Sequence, residues 1–178
     1  MNTGCIGAYK GFLTKAAWVG ALSLAACGAA WSQSADMLGV NYPANTRVEG
    51  VPLVLNGSGV NYRGMAKQYT LALYSPQKST RADVVVAGFN APLQFRFVML
   101  QGMRIDELGM AITRGVEANS SREEFFKLIP SIRLMGEVFS RIKRLDAGDT
   151  LTIEYVPKRG TLFLVNDQPA GLPIAEPS

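Results

Sequence analysis

The order of strand-like and helix-like segments is the feature that most constrains the fold of this chain. Strand patterns occupy residues 47–55 and 60–74, and residues 93–100 alternate between apolar and polar side chains. Two helical stripes follow between residues 105 and 142, and a β-hairpin closes the pattern at residues 150–165. Strands followed by helices and then by strands are typical of an α+β fold. Because each helix has one apolar stripe, we expect a large antiparallel sheet that is backed by a single layer of helices.

Turn residues predict where the first strands begin and end. Residues 56–59, Asn-Gly-Ser-Gly, indicate a turn, and residues 60–74 then form one long strand. A short helix is predicted from Ser79 or Thr80 through Val86.

The second half of the chain carries its own boundary signals. Ser120 or Ser121 is the predicted N-cap of the second long helix, since acidic residues follow in its first turn. Pro130 should kink or split that helix. A last strand is expected at residues 170–174.

The composition excludes several classes of chemistry. The chain contains no histidine and two cysteines, Cys5 and Cys27. Histidine-dependent hydrolases, histidine-ligated metal sites and thiolate metal clusters are therefore excluded, and we expect no metal and no cofactor. With 48% hydrophobic and 18% charged residues, the chain has the composition of an ordinary folded domain.

Residues 1–34 have the pattern of a secretory signal peptide. They contain Lys10 and Lys15 but no acid, followed by an apolar run at residues 16–26. That run is shorter than the ~20 residues that span a bilayer. The sequence therefore predicts export to the periplasm or beyond, a linker at residues 35–44 and one domain at residues 45–178.

Two ways of cleaving this signal stay open. Residues 24–27, Leu-Ala-Ala-Cys, match a bacterial lipobox, which would place a lipid on Cys27. Small residues at 28–30 and 32–34 suit ordinary signal peptidase, and we favour ordinary cleavage. Contact with a membrane is expected only through a lipid on Cys27. Because basic residues are scattered apart from residues 141–144, we expect no nucleic-acid partner.

Several segments together resemble the bacterial chalcone isomerase-like domains. The resemblance covers roughly residues 45–175 and implies an open-faced β-sandwich, a large antiparallel sheet backed by helices. It rests on residues 51–60, 67–74, 103–106, 113–119, 145–149 and 165–171.

The resemblance implies two functional branches. Plant isomerases close a flavanone ring with a strand arginine, a strand threonine, and a helix tyrosine and asparagine, whereas related non-catalytic members bind fatty acids through an arginine and a tyrosine. The arginine position falls on Asn61, with Arg63 two residues on, and the threonine position falls on Tyr69. The helix positions fall near Leu108 and Gly115, so the isomerase set is not present and no catalytic residue is predicted.

The candidate ligand-binding residues are therefore Arg63, Tyr69 and Asn61. On one strand Arg63 and Tyr69 would lie ~20 Å apart, too far to share one carboxylate. Arg63 is equally explained as an exposed strand arginine, and Tyr69 as a half-buried tyrosine of the sheet. The chain stops at Ser178, where related domains continue into a further helix, so that helix is expected to be missing.

Three functions stay open after the sequence analysis. The first is an exported, non-catalytic protein that binds a fatty-acid-like or other apolar acidic small ligand. The second is a chalcone-isomerase-type intramolecular lyase or isomerase. The third is a structural or interaction module without a ligand.

Overall fold

The fold is built on one large antiparallel sheet. The structure is a computed structural model that describes residues 34–81, 84 and 90–175. In this part of the chain, seven strands form a sheet with the order β11-β10-β9-β6-β5-β4-β3. The strands are β1 Ala35–Met37, β2 Val40–Tyr42, β3 Asn45–Val48, β4 Val51–Arg63, β5 Ala66–Ser75, β6 Leu93–Met99, β7 Met103–Arg104, β8 Arg144–Leu145, β9 Thr150–Val156, β10 Gly160–Val165 and β11 Gln168–Pro169.

Two consecutive helices cover one face of this sheet. They are α1, Ile105–Asn119, and α2, Arg122–Ser140. Alternate side chains of β6, β9 and β10 point toward them and bury Phe97, Leu151 and Phe163 in one apolar cluster with residues of both helices. The predicted α+β architecture, a large antiparallel sheet backed by helices, is confirmed.

The two helices begin where the sequence predicted. Ser121 and Glu124 form a capping box, in which each side chain accepts a hydrogen bond from the other residue's backbone N–H. Pro130, at which a kink or a split was expected, lies inside α2, and the helix is not split there. Gly109 allows close packing, because a Cβ atom at this position would lie 3.0 Å from the ring of Phe139.

A short β-hairpin packs on the opposite face of the sheet. Strands β1 and β2 pair with each other, and Tyr42 at the end of β2 is almost fully buried. The hydroxyl groups of Tyr42 and Thr70 share a hydrogen bond of 2.7 Å, and the Tyr74 hydroxyl donates to the Pro43 carbonyl at 3.0 Å. The sequence suggested a linker at residues 35–44. This segment instead contains the β1–β2 hairpin and a core side chain, Tyr42, which is bonded to Thr70 of β5.

The chain reverses direction at Gly64 and Met65, which corrects the predicted long strand over residues 60–74. Strand β4 runs through residues 56–59, where a turn was expected, with a register shift between Leu55 and Gly57. Arg63 pairs with Ala66, and Gly64 between them has φ of +62°. This is the position at which type II′ hairpin turns place glycine, because side chains disfavour a positive φ.

A short strand pair joins the start of α1 to the end of α2. Strand β7 precedes α1 and pairs with β8, which follows α2. The hairpin of β9 and β10 forms as predicted. A strand was expected over residues 170–174, but β11 lies at Gln168–Pro169. Ile174 makes a single bridge to Thr161, and residues 170–175 contain no helix.

Two further predictions lie wholly or mostly outside the described residues. These are the signal peptide at residues 1–34 and the short helix at residues 79–86. In the described part of the chain, neither helix has the length and hydropathy that crossing a membrane requires.

Candidate functional site

A cleft of about 390 Å³ lies between the β4–β5 hairpin and α1. The hairpin supplies one wall from the residues next to its turn, and α1 supplies the other from its first three turns. Volumes of roughly 300–1,000 Å³ are typical of small-molecule sites. The lining residues are Asn61, Tyr62, Arg63, Gln68, Tyr69, Met103, Glu107, Leu108, Met110, Ala111 and Arg114.

All three candidate residues from the sequence line this cleft. Asn61 and Tyr69 are direct partners in the register of β4 and β5, which brings their Cβ atoms to roughly 5 Å of each other. Arg63 lies two residues beyond Asn61, just before the turn. The expected separation of ~20 Å between Arg63 and Tyr69 is wrong, because the two residues lie on neighbouring strands and not on one strand.

An ion pair joins the two walls of the cleft. Arg63 Nη1 donates a hydrogen bond of 2.8 Å to Glu107 Oε2 on α1. The two side chains remain 75% and 39% exposed, so the pair lies at the mouth and not in the interior. A pair this exposed contributes ~0–1 kcal/mol to stability, and the guanidinium keeps other N–H groups for a second acceptor.

Tyr69 presents an uncharged hydroxyl group to the cleft. Its ring packs edge-on against Phe97, with 5.4 Å between the ring centroids. Burial raises the pKa of the Tyr69 hydroxyl above its ordinary value, so this group stays protonated at neutral pH. Within the described part of the chain, the hydroxyl has no hydrogen-bond partner, which leaves it available to a ligand.

Arg114 is a second cation of the cleft that the sequence analysis missed. It lies seven residues after Glu107 on α1, which puts both side chains on the same face of the helix. The helical spacing of Glu107 and Arg114 was the available signal, but only the position of the hairpin shows that this face borders a cleft. Among the described residues, Arg114 has no carboxylate partner, so the lining of the cleft carries one excess positive charge.

Two other cavities lie along the helices. A groove of about 800 Å³ runs between α1 and α2. Its basic lining residues are Lys143, Arg114, which also lines the cleft, and Arg104, which is paired with Asp106 at 2.6 Å and 3.0 Å. A cavity of about 290 Å³ near Phe163 has no charged residue in its lining. In the described ranges, no three acidic or cysteine side chains are grouped to hold a metal ion.

A model of the chalcone isomerase-like family matches residues 34–177. The chain belongs to the chalcone isomerase-like family. The match confirms the resemblance seen in residues 45–175 and extends it over the β1–β2 hairpin. No curated protein matches the sequence.

The chalcone isomerase-like fold is also found in a solved structure with a similar arrangement. This is the crystal structure of a fatty-acid binding protein of Arabidopsis thaliana, AtFAP1, which superimposes with a TM-score of 0.60. The alignment covers 80% of this chain and 83% of the plant protein, with 12% sequence identity. At that identity, the similarity establishes the fold alone.

The resemblance placed the tyrosine and the asparagine of the isomerases near Leu108 and Gly115 of α1. Leu108 is buried and forms part of the apolar floor of the cleft. Gly115 is exposed, and a Cβ atom at this position would meet no atom within 4 Å. Neither residue has a group that exchanges a proton.

Proposed function

We propose that the protein binds a fatty-acid-like or other apolar acidic small molecule in the cleft between the β4–β5 hairpin and α1, without catalysis. One observation carries the proposal: Arg63, Arg114, Asn61 and Tyr69 line one cleft together with the buried apolar residues Met103 and Leu108. A ligand with an acidic head group and an apolar body would contact both the polar and the apolar residues of this lining.

The polar groups suit a carboxylate. A guanidinium forms strong, charge-assisted hydrogen bonds to a carboxylate, and a protonated phenol donates a further one. Arg63 shares its charge with Glu107, whereas Arg114 has no carboxylate partner in the described residues. The cleft thus offers the head group of the ligand two cations, one on the hairpin and one on α1.

The apolar groups suit an alkyl chain. Met103 and Leu108 are both buried at the base of the cleft, and Met110 lies near its mouth. Each methylene group that leaves water contributes ~0.8 kcal/mol, so that a chain of several methylenes supplies most of the binding free energy. Methionine side chains adapt to irregular shapes, which favours a range of related ligands.

The non-catalytic part of the proposal follows from the same residues. Tyr69 holds its proton at neutral pH, and Glu107 is engaged by Arg63. Leu108 lies at the helix position where an isomerase needs a phenol. Purified protein should not accelerate chalcone cyclisation above the rate in buffer.

Binding is tested with a long-chain acid and the alcohol of equal length. Arg63→Ala should weaken binding of the acid and leave the alcohol nearly unchanged, because only the charged head group loses its partner. Arg133→Ala is the matched control, since Arg133 forms a similarly exposed ion pair with Glu137 on α2. Equal losses for acid and alcohol would assign Arg63 a packing role, and no binding by any variant would favour a structural module.

We also propose that the protein is exported. The proposal is supported by Lys10 and Lys15 before the apolar run at residues 16–26. Incorporation of a radioactive fatty acid into the chain, but not into Cys27→Ser, would establish a lipoprotein. Secretion without incorporation would establish ordinary cleavage, and secretion that survives deletion of residues 1–34 would refute the signal.

A further inference from the structure

Large apolar side chains are exposed around the mouth of the cleft. Met65, at the tip of the β4–β5 hairpin, is completely exposed. Tyr62 on β4 and Met110 on α1 both line the cleft, and they are 55% and 49% exposed. We call these three residues the rim. Exposed apolar residues that cluster at the opening of a site indicate contact with another surface.

The rim is bordered by cations. Arg63 and Lys67 flank the hairpin tip on its two strands, and Lys67 pairs directly with Tyr62 in the strand register. Arg114 approaches from α1. Glu107 is the acid of the cleft lining, and the neighbouring Asp106 is paired with Arg104. The mouth therefore carries more positive than negative charge.

We propose that the rim docks on the surface of a bilayer that contains anionic lipids. Apolar tips bordered by lysine and arginine match such a surface, where apolar side chains enter the interface and cations meet the head groups. The two-residue turn suits this role, because the ladder of β4 and β5 continues to Arg63 and Ala66. The docked cleft would open directly onto the acyl region, with which it would exchange apolar ligands.

Charge complementarity favours a lipid surface over a protein partner. Each lysine or arginine near an anionic bilayer contributes about fivefold in affinity, and this contribution needs no fixed geometry. The rim consists of three residues, whereas stable protein interfaces take roughly 20–30 residues from each partner. Docking extends the proposed function, since it concerns how the cleft exchanges its ligand with a membrane, and the two proposals are tested separately.

The test places one environment-sensitive dye at the hairpin tip of the full chain. Met65→Cys is made together with Cys5→Ser and Cys27→Ser, which leaves a single thiol. Leu172→Cys in the same background is the matched control, because Leu172 is 87% exposed and follows β11 at the opposite edge of the sheet. The probes are vesicles of phosphatidylcholine alone and of phosphatidylcholine with phosphatidylglycerol.

Docking predicts a blue shift and protection from aqueous iodide at position 65, and neither at position 172. Lys67→Gln in the Met65→Cys chain should weaken vesicle affinity about fivefold. Lys78→Gln, just beyond the other end of β5, should not change it. No response at position 65, equal responses at both positions, or equal responses to neutral and anionic vesicles would overturn the proposal.

Binding of the acid and the alcohol without vesicles separates this proposal from the proposed function. A chain that binds the acid in solution but shows no response at position 65 retains the function and refutes the docking. A chain that responds at position 65 but binds neither ligand supports the docking and refutes the function.

Discussion

Removal of the charge of Glu107 should strengthen the binding of an acidic ligand. Glu107 Oε2 accepts a hydrogen bond from Arg63 Nη1 at 2.8 Å, so a bound carboxylate must share the guanidinium with a second carboxylate. Glu107→Gln keeps an oxygen that accepts from Arg63 and removes the negative charge. Because the ion pair is exposed, the substitution should leave the fold unchanged.

The size of the gain follows from the distance between the two carboxylates. A ligand carboxylate bound to another nitrogen of Arg63 would lie about 5 Å from that of Glu107. Their repulsion is about 1 kcal/mol in a water-like dielectric and about 3 kcal/mol at an effective dielectric constant of 20. Since Arg63 is 75% exposed, the lower figure applies, and the affinity for the acid should rise about fivefold.

Calorimetric titration of the acid and the matching alcohol measures this effect. The affinity for the alcohol should not change, and the gain for the acid should shrink in 1 M salt, where charges are screened within ~3 Å. Glu137→Gln is the control, because Glu137 forms the corresponding ion pair with Arg133 on α2. A gain for the alcohol, or a loss for the acid, would refute the placement of the head group beside Arg63.

Three predictions concern the fold. Gly64→Ala should lower the free energy of unfolding in urea by about 1 kcal/mol, because Gly64 has a positive φ. Gly57→Ala should not lower it, since a Cβ at this position meets no atom within 4 Å. A larger loss for Gly57→Ala than for Gly64→Ala would move the turn to residues 56–59. Leu108→Ala should cost about 2–5 kcal/mol in the same assay, because Leu108 is buried in the main cluster; a loss below 1 kcal/mol would contradict that packing. Burial raises the pKa of Tyr74 to about 12, so the folded state holds this proton more tightly than the unfolded state. The free energy of unfolding in urea should therefore fall between pH 10 and pH 12. Tyr74→Phe should reduce this fall, and an equal fall in both proteins would contradict the assignment to Tyr74.

The helices and the closing hairpin could be predicted from local patterns. The apolar stripe of α1 includes Ile105 and Leu108, which are buried as its spacing indicates. The Ser121–Glu124 capping box fixes the start of α2 by contacts within four residues of each other. Patterns of this kind involve residues close together in the sequence, so these elements can be identified from the sequence alone.

The β4–β5 hairpin could not be predicted in the same way, because its glycines are locally alike. Gly57 and Gly59 lack a positive φ and remain in β4, where their partners across the ladder are Leu73 and Leu71. The irregularity next to Gly57 is supported by Asn56, whose Oδ1 accepts from the backbone N–H of Ser79. That contact spans 23 residues, and no local pattern contains it.

The same limit applies to the candidate site. Arg63, Tyr69 and Asn61 were found through the family resemblance, but their common cleft depends on the reversal at Gly64. Arg114 was missed because it reaches the cleft only through the packing of α1 beside the hairpin. Residue types were therefore available in the sequence, whereas their convergence depends on contacts between distant segments.

The double role of Arg63 links the two proposals. If Arg63 binds the carboxylate of the ligand in solution and lipid head groups at a bilayer, both acceptors compete for one guanidinium, as Glu107 already does. If the ligand lowers the affinity of the protein for the bilayer, the bilayer must lower the affinity for the ligand by the same factor, because coupling between two binding events is reciprocal. An anionic bilayer would thus lower the affinity of the cleft for an acid but not for the matching alcohol, whose hydroxyl does not need the cation. The cleft would then hold acidic cargo more tightly in water than at the membrane, which is the direction that delivery to an anionic surface requires.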